Sequence, residues 1–172
     1  MSMIESGPDS DKAKARMAVA FVGFIAVCFA AAALGGLFTG PATQPGGWYE
    51  WIAKPSWTPP SWLFGPVWTL LYGAMAVAGW LVWREGGWRA QKVPLALFFV
   101  QLALNTLWSY LFFGLRSPGL AFAEIVALWI AILATLIAFW RVSRLAGGLF
   151  VPYLAWVTFA AALNYSVWRL NG

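Results

Sequence analysis

Residues 48–72 read WYEWIAKPSWTPPSWLFGPVWTLLY. These twenty-five positions hold five tryptophans and four prolines. Pro55, Pro59 and Pro60 favour extended or turn backbone and exclude one continuous helix. From Trp62 onward the chain is apolar enough to enter a bilayer. The stretch therefore reads as a stiff loop feeding a membrane helix. Interfacial anchoring explains one or two of its rings, such as Trp48 and Trp62. It does not explain the Lys-Pro-x-Trp-x-Pro-Pro cadence. We expect a lid that carries Trp51 and Trp57 over the mouth of a bundle, with Trp68 below it inside the next helix.

The whole chain agrees with a membrane setting. Of 172 residues, 62% are hydrophobic and 10% charged, with a mean hydropathy of +0.72. Soluble domains carry about 25% charged residues, so this chain cannot clothe a soluble surface. The net charge is +5. Its basic residues lie between apolar runs rather than in one patch, which argues against a nucleic-acid partner. With no histidine, Ser-His-Asp catalysis, histidine zinc sites and a proximal-histidine haem are excluded. The single cysteine, Cys28, excludes an intrachain disulfide and a cysteine metal cluster. No metal site is expected.

A helix crossing hydrocarbon needs about 20 mostly apolar residues. Five segments qualify, at about 17–39, 62–83, 93–113, 119–140 and 146–168. The expected fold is an all-α integral membrane protein, a bundle of five transmembrane helices behind a polar tail at 1–16. Gly40-Pro41 punctuates the end of the first span, and Gly114 to Pro118 separates the third from the fourth. That first apolar stretch is longer than a signal-peptide core. Eight basic residues fall on one side: Lys12, Lys14, Arg16, Arg84, Arg89, Lys92, Arg141 and Arg144. Three fall on the other: Lys54, Arg116 and Arg169. The positive-inside rule then puts the N-terminus in the cytoplasm, and the C-terminus and tryptophan-rich loop outside. The bias fits a bacterial cell membrane.

Polar residues within the spans are costly to expose. Gln101, Asn105 and Ser109 recur at four-residue spacing on one face of the third span. Trp156, Ala160 and Asn164 do so on the fifth, and Trp68 and Tyr72 on the second. Two readings stay open together: helix–helix glue, or an apolar pocket with a few polar handles. Glu124 is the one acidic residue well inside a span, and no second carboxylate or histidine accompanies it to form a proton relay. Ala31/Gly35 and Ala32/Gly36 allow close helix approach, either within the monomer or at a dimer seam.

Four sequence blocks carry a resemblance. They are Trp48-Tyr49…Lys54-Pro55-Ser56-Trp57-Thr58-Pro59-Pro60…Pro66-Val67-Trp68-Thr69-Leu70-Leu71-Tyr72; Gln101-Leu-Ala-Leu-Asn105-Thr-Leu-Trp108-Ser109…Phe112-Phe113-Gly114; Val151-Pro152-Tyr153-Leu-Ala-Trp156; and Leu163-Asn164-Tyr165-Ser-Val-Trp168-Arg169-Leu-Asn171. In order and spacing, over about 20–171, the chain resembles the TspO/MBR family, the translocator proteins and tryptophan-rich sensory proteins. The resemblance implies a five-helix bundle, often a homodimer, with a ligand pocket beneath the first loop. It implies binding of porphyrins such as protoporphyrin IX, and of benzodiazepine-type drugs or sterols. Porphyrin is then a ligand rather than a cofactor, and no cofactor is expected.

Carried over by motif, the ligand-binding residues are Tyr49, Gln101, Asn105, Ala160 and Asn164. Trp68 and Trp156 join them, and are implicated if the family's proposed light-dependent porphyrin degradation applies. The lid argument adds Trp57, and the stripe on the second span adds Tyr72. Leu163, Tyr165 and Arg169 fit a short sterol motif, which also reads as an anchor at the end of the fifth helix. A binding protein or sensor ranks first. A porphyrin photo-oxidising enzyme ranks second, and a tetrapyrrole or lipid transporter third.

Overall fold

The computed structural model describes residues 8–172, and those residues contain no strand. The helices are α1 (Pro8–Thr43), the short α2 (Trp48–Trp51), α3 (Phe64–Trp83), the short α4 (Gly87–Ala90), α5 (Lys92–Ser109), α6 (Pro118–Val142) and α7 (Arg144–Asn171). Five of them, α1, α3 (with the 3-10 turn Ser61–Leu63), α5, α6 and α7, are long and apolar enough to cross a membrane. A π-helical turn, Tyr110–Gly114, extends α5.

Three boundaries depart from expectation. Residues 8–16 are already helical, so α1 begins well before its apolar stretch; the remainder of the expected polar tail lies outside the described residues. Secondly, Gly40-Pro41 does not end the helix, and α1 runs on to Thr43. Proline removes one backbone donor and strains one carbonyl. The helix nonetheless continues for two residues past Pro41, and threonine hydroxyls bond back along the same turns. Thr39 Oγ1 donates to Gly35 O (3.1 Å) and Thr43 Oγ1 to Thr39 O (2.9 Å). Thirdly, Trp48–Trp51 forms a turn of helix in what read as an irregular loop.

α6 packs against α7 and, on another side, against α5, while α1 packs on α3 and α5, and α3 also meets α7. The half of the bundle nearest the N-terminus and the 84–92 segment is solid. Phe98 stacks on Phe139 (ring centroids 6.0 Å apart), and Phe150 meets Phe139 edge-on (5.2 Å). Phe24 is packed so close to Gly79 that a β-carbon there would fall 2.8 Å from its ring. The opposite half, under the 44–60 loop, is hollow.

Ala31/Gly35 serves packing within the chain. A β-carbon on Gly35 would lie 3.1 Å from Ser109 Oγ, and Thr106 Oγ1 donates to Ala31 O (3.4 Å). Ala32 and Gly36 face the hollow instead.

Candidate ligand-binding cavity

The hollow is a partly open cavity of about 530 Å³ lined by α1, α2, α3, α5 with its π turn, and α7. Small-molecule sites commonly occupy about 300–1,000 Å³, with mostly apolar walls and a few polar groups. Trp68 on α3, Trp108 on α5 and Trp156 on α7 bring indole rings to its wall. Trp68 is held by Tyr72 (5.7 Å) and, edge-on, by Tyr153 (6.2 Å). Trp156 meets Phe64 edge-on at 6.0 Å.

Polar groups on the wall also tie the helices together. Tyr72 Oη donates to Asn105 Oδ1 (2.5 Å), and Asn105 Nδ2 donates to Tyr153 Oη (2.9 Å). One amide thus joins α3, α5 and α7. Nearer the loop, Trp108 Nε1 donates to Asn164 Oδ1 (3.0 Å), while Asn164 Nδ2 donates to Pro118 O (2.7 Å). That second amide joins α5, α7 and the start of α6. Both readings left open by the sequence hold here: the amides are glue, and they line the cavity.

The roof is α2 and its flanks. Lys54 Nζ donates to the carbonyls of Tyr49 (2.5 Å), Glu50 (3.1 Å) and Ile52 (3.1 Å), capping the end of α2 with its charge. The same ammonium lies 4.9 Å from the centroid of the Tyr49 ring. Tyr49 is buried against Phe113 (5.7 Å) and Phe112 (6.3 Å), and burial pushes its phenol up to about 12. Asn171, at the end of α7, accepts from Ala53 N (3.0 Å) and donates to Ala53 O (2.8 Å), clipping the loop to the bundle.

Of the residues singled out in the sequence, Tyr49, Trp68, Tyr72, Asn105, Trp156, Ala160 and Asn164 meet on this wall. Gln101 does not. It is fully buried one turn below Asn105, with Nε2 3.7 Å from Met75 Sδ and Oε1 unpaired. Trp57 is also off the wall and buttresses Phe159, which in turn contacts Trp156. Trp51 points outward, 78% exposed, so the lid does not hang its two rings over the mouth as expected. The sterol-motif residues do not share a surface. Leu163 faces the cavity, Tyr165 packs on Phe122 (5.2 Å) at the outside, and exposed Arg169 sits in the last turn of α7.

Sequence reasoning missed Trp108, Phe112 and Phe113 as wall residues. Trp108 and Phe112 continue the face of Gln101 and Asn105 at helical spacing, a signal that was available. Phe113 reaches the wall where the π turn departs from that spacing.

Compared with known proteins, the chain matches the TspO/MBR family over residues 24–169. The chain belongs to the TspO/MBR family. It is 41% identical over 156 residues to the tryptophan-rich protein TspO of Archaeoglobus fulgidus, covering 91% of this chain and 97% of that protein. It is 45% identical over 150 residues to protein CrtK of Rhodobacter capsulatus, covering 85% and 91%. To the human translocator protein it is 48% identical over 126 residues, covering 72% and 75%. As a TspO/MBR protein with five spanning helices, it is an integral membrane protein.

Proposed function

We propose that this protein is a receptor or sensor that binds porphyrins, protoporphyrin IX foremost, in the cavity beneath the 44–60 loop. One observation carries the reading: the indole rings of Trp62, Trp68, Trp108 and Trp156 and two helix-bridging amides line one cavity among the membrane-spanning helices. Flat, polarizable walls suit a flat, polarizable ligand. Each aromatic contact adds about 0.5–1.5 kcal/mol beyond burial, or roughly 2- to 12-fold in affinity. Related hydrophobic ligands, sterols or benzodiazepine-type drugs, would share the cavity. The words sensory and translocator in the names of relatives are consistent with a role in which occupancy is reported or passed on.

In this reading the solid end of the bundle faces the cytoplasm. Arg16 sits over Trp83 (5.6 Å) and Arg84 over Trp80 (5.4 Å), so basic residues from the N-terminal helix and the 84–92 segment gather at one end. The loop, the cavity roof and the C-terminus lie at the other. A homodimer is part of the proposal, with occupancy altering how two copies or another partner meet.

The test is a titration of purified protein with protoporphyrin IX in the dark, following tryptophan fluorescence. Saturable quenching that weakens in the Trp68→Phe/Trp156→Phe double variant supports the reading. Binding indifferent to both rings would sink it.

A further inference from the structure

We infer that the cavity exchanges ligand sideways with the bilayer, through a portal between α1 and the first turns of α3, rather than through the loop. The inference assumes the cavity of the proposed function but not the identity of its ligand.

The walls are unequal. Lining residues from α2, α5 and α7 are buried, as Tyr49, Asn105 and Asn164 are, or half-buried, as Trp108 and Trp156 are, and none is exposed. Exposed lining residues belong to α1 or to the chain that opens α3: Phe29 and Gly36 on one side, Trp62, Gly65 and Thr69 on the other. The cavity is therefore closed by the bundle and roof but open along one seam.

The cause is how α1 leans. Its lower half is fastened to α3: Trp80 Nε1 donates to Met17 O (3.1 Å), Phe21 packs on Trp80 (5.3 Å) and Phe24 lies against Gly79. Its upper half is fastened to α5 and the π turn instead, through Ala31 with Thr106, Gly35 with Ser109, and Phe38 with Tyr110 (5.1 Å). The upper halves of α1 and α3 consequently part.

Small residues keep the gap clear. β-Carbons on Gly36, Gly40 or Gly65 would meet nothing within 4 Å. Gly36 lies seven residues before the end of α1, about 10 Å down its axis at 1.5 Å per residue. Leu37 and Leu70, next in sequence to the lining residues Gly36 and Thr69, are 68% and 74% accessible and suit acyl chains rather than water. The ligand class this admits is an apolar or amphiphilic molecule already dissolved in the membrane.

The experiment uses the full chain in lipid vesicles, with Cys28→Ala and Ala160→Cys placing one thiol on the cavity wall. N-phenylmaleimide reaches it from the bilayer, and a sulfonated maleimide only from water; mass spectrometry follows each rate. The lipid-soluble reagent is expected to label faster. Gly36→Leu and Thr69→Leu, made separately from opposite sides of the seam, should each slow it about tenfold, equivalent to about 1.4 kcal/mol of added barrier. Val126→Trp, on the outward face of α6, should not. Thermal melts identify any variant that fails to fold, and the other variant then carries the test. Equal labelling by both reagents, unaffected by either seam substitution, overturns the portal. Since no porphyrin is used, that result would leave the porphyrin reading to its own titration.

Discussion

Asn105 connects the two phenols of Tyr72 and Tyr153 in the middle of the bundle, so its loss leaves both hydroxyls buried without their partner. Such orphaning costs about 1–3 kcal/mol. Asn105→Leu should therefore lower the unfolding midpoint in detergent, and Tyr72→Phe should do less harm because one bond is lost rather than two. A larger loss from Tyr72→Phe than from Asn105→Leu would contradict this network. Tyr49 gives a pH prediction. Its phenol titrates near 12 in the fold, above its unfolded value near 10. A raised value means the unfolded chain releases its proton first. The stabilisation is therefore complete below pH 10 and is lost as pH rises through 12. In denaturation curves between pH 10 and 12, Tyr49→Phe should lose less stability than the parent. The sequence announced Asn105 and Tyr72 because polar groups in a hydrophobic span demand partners. It did not announce that Gln101, one turn away on the same face, lies below the cavity floor. Depth along a helix is set by packing of its neighbours, which face-periodicity does not encode.

At the scale of elements, the roof depends on a few polar clips rather than on buried area. Lys54 holds the end of α2 through three carbonyls, and Asn171 grips Ala53 from the far end of the chain. Lys54→Met and Asn171→Ala should each raise amide exchange across residues 48–60 while leaving α5 to α7 protected. Uniformly faster exchange through the spans would show that these clips hold the whole fold instead. The π turn is the second device. It swings Phe112 and Phe113 under Tyr49, and Arg116 follows it with a φ of +52°. Left-handed backbone costs a non-glycine residue roughly 1–2 kcal/mol. Arg116→Gly should therefore stabilise the protein or leave it unchanged, whereas Gly114→Ala should destabilise it. A β-carbon there would fall 2.9 Å from Tyr110 and 3.2 Å from Phe38. The five spans were legible because hydrophobic length is a coarse and robust signal. The π turn, the helix through Pro41 and the short α2 were not, because each depends on local bonds that offset a composition pointing the other way.

At the scale of the molecule, a solid half and a hollow half share one bundle. Aromatic packing around Phe98, Phe139 and Phe150 supplies rigidity at one end. The divergence of α1 from α3 leaves room at the other, where the tryptophans gather. Tryptophan-rich motifs in the sequence pointed to the hollow half, but only the assembled helices show that Trp57 buttresses while Trp108 lines. If this hollow is the ligand site, filling it must abolish or weaken binding. Ala160 is a small residue on the wall between Trp156 and Asn164. Protoporphyrin IX affinity would be measured for the parent and Ala160→Phe in lipid nanodiscs, alongside thermal melts. Ala160→Phe should weaken binding at least about tenfold, a penalty of roughly 1.4 kcal/mol, with the fold retained. Unchanged affinity in a folded Ala160→Phe protein would place the porphyrin elsewhere, and the hollow would not be its site.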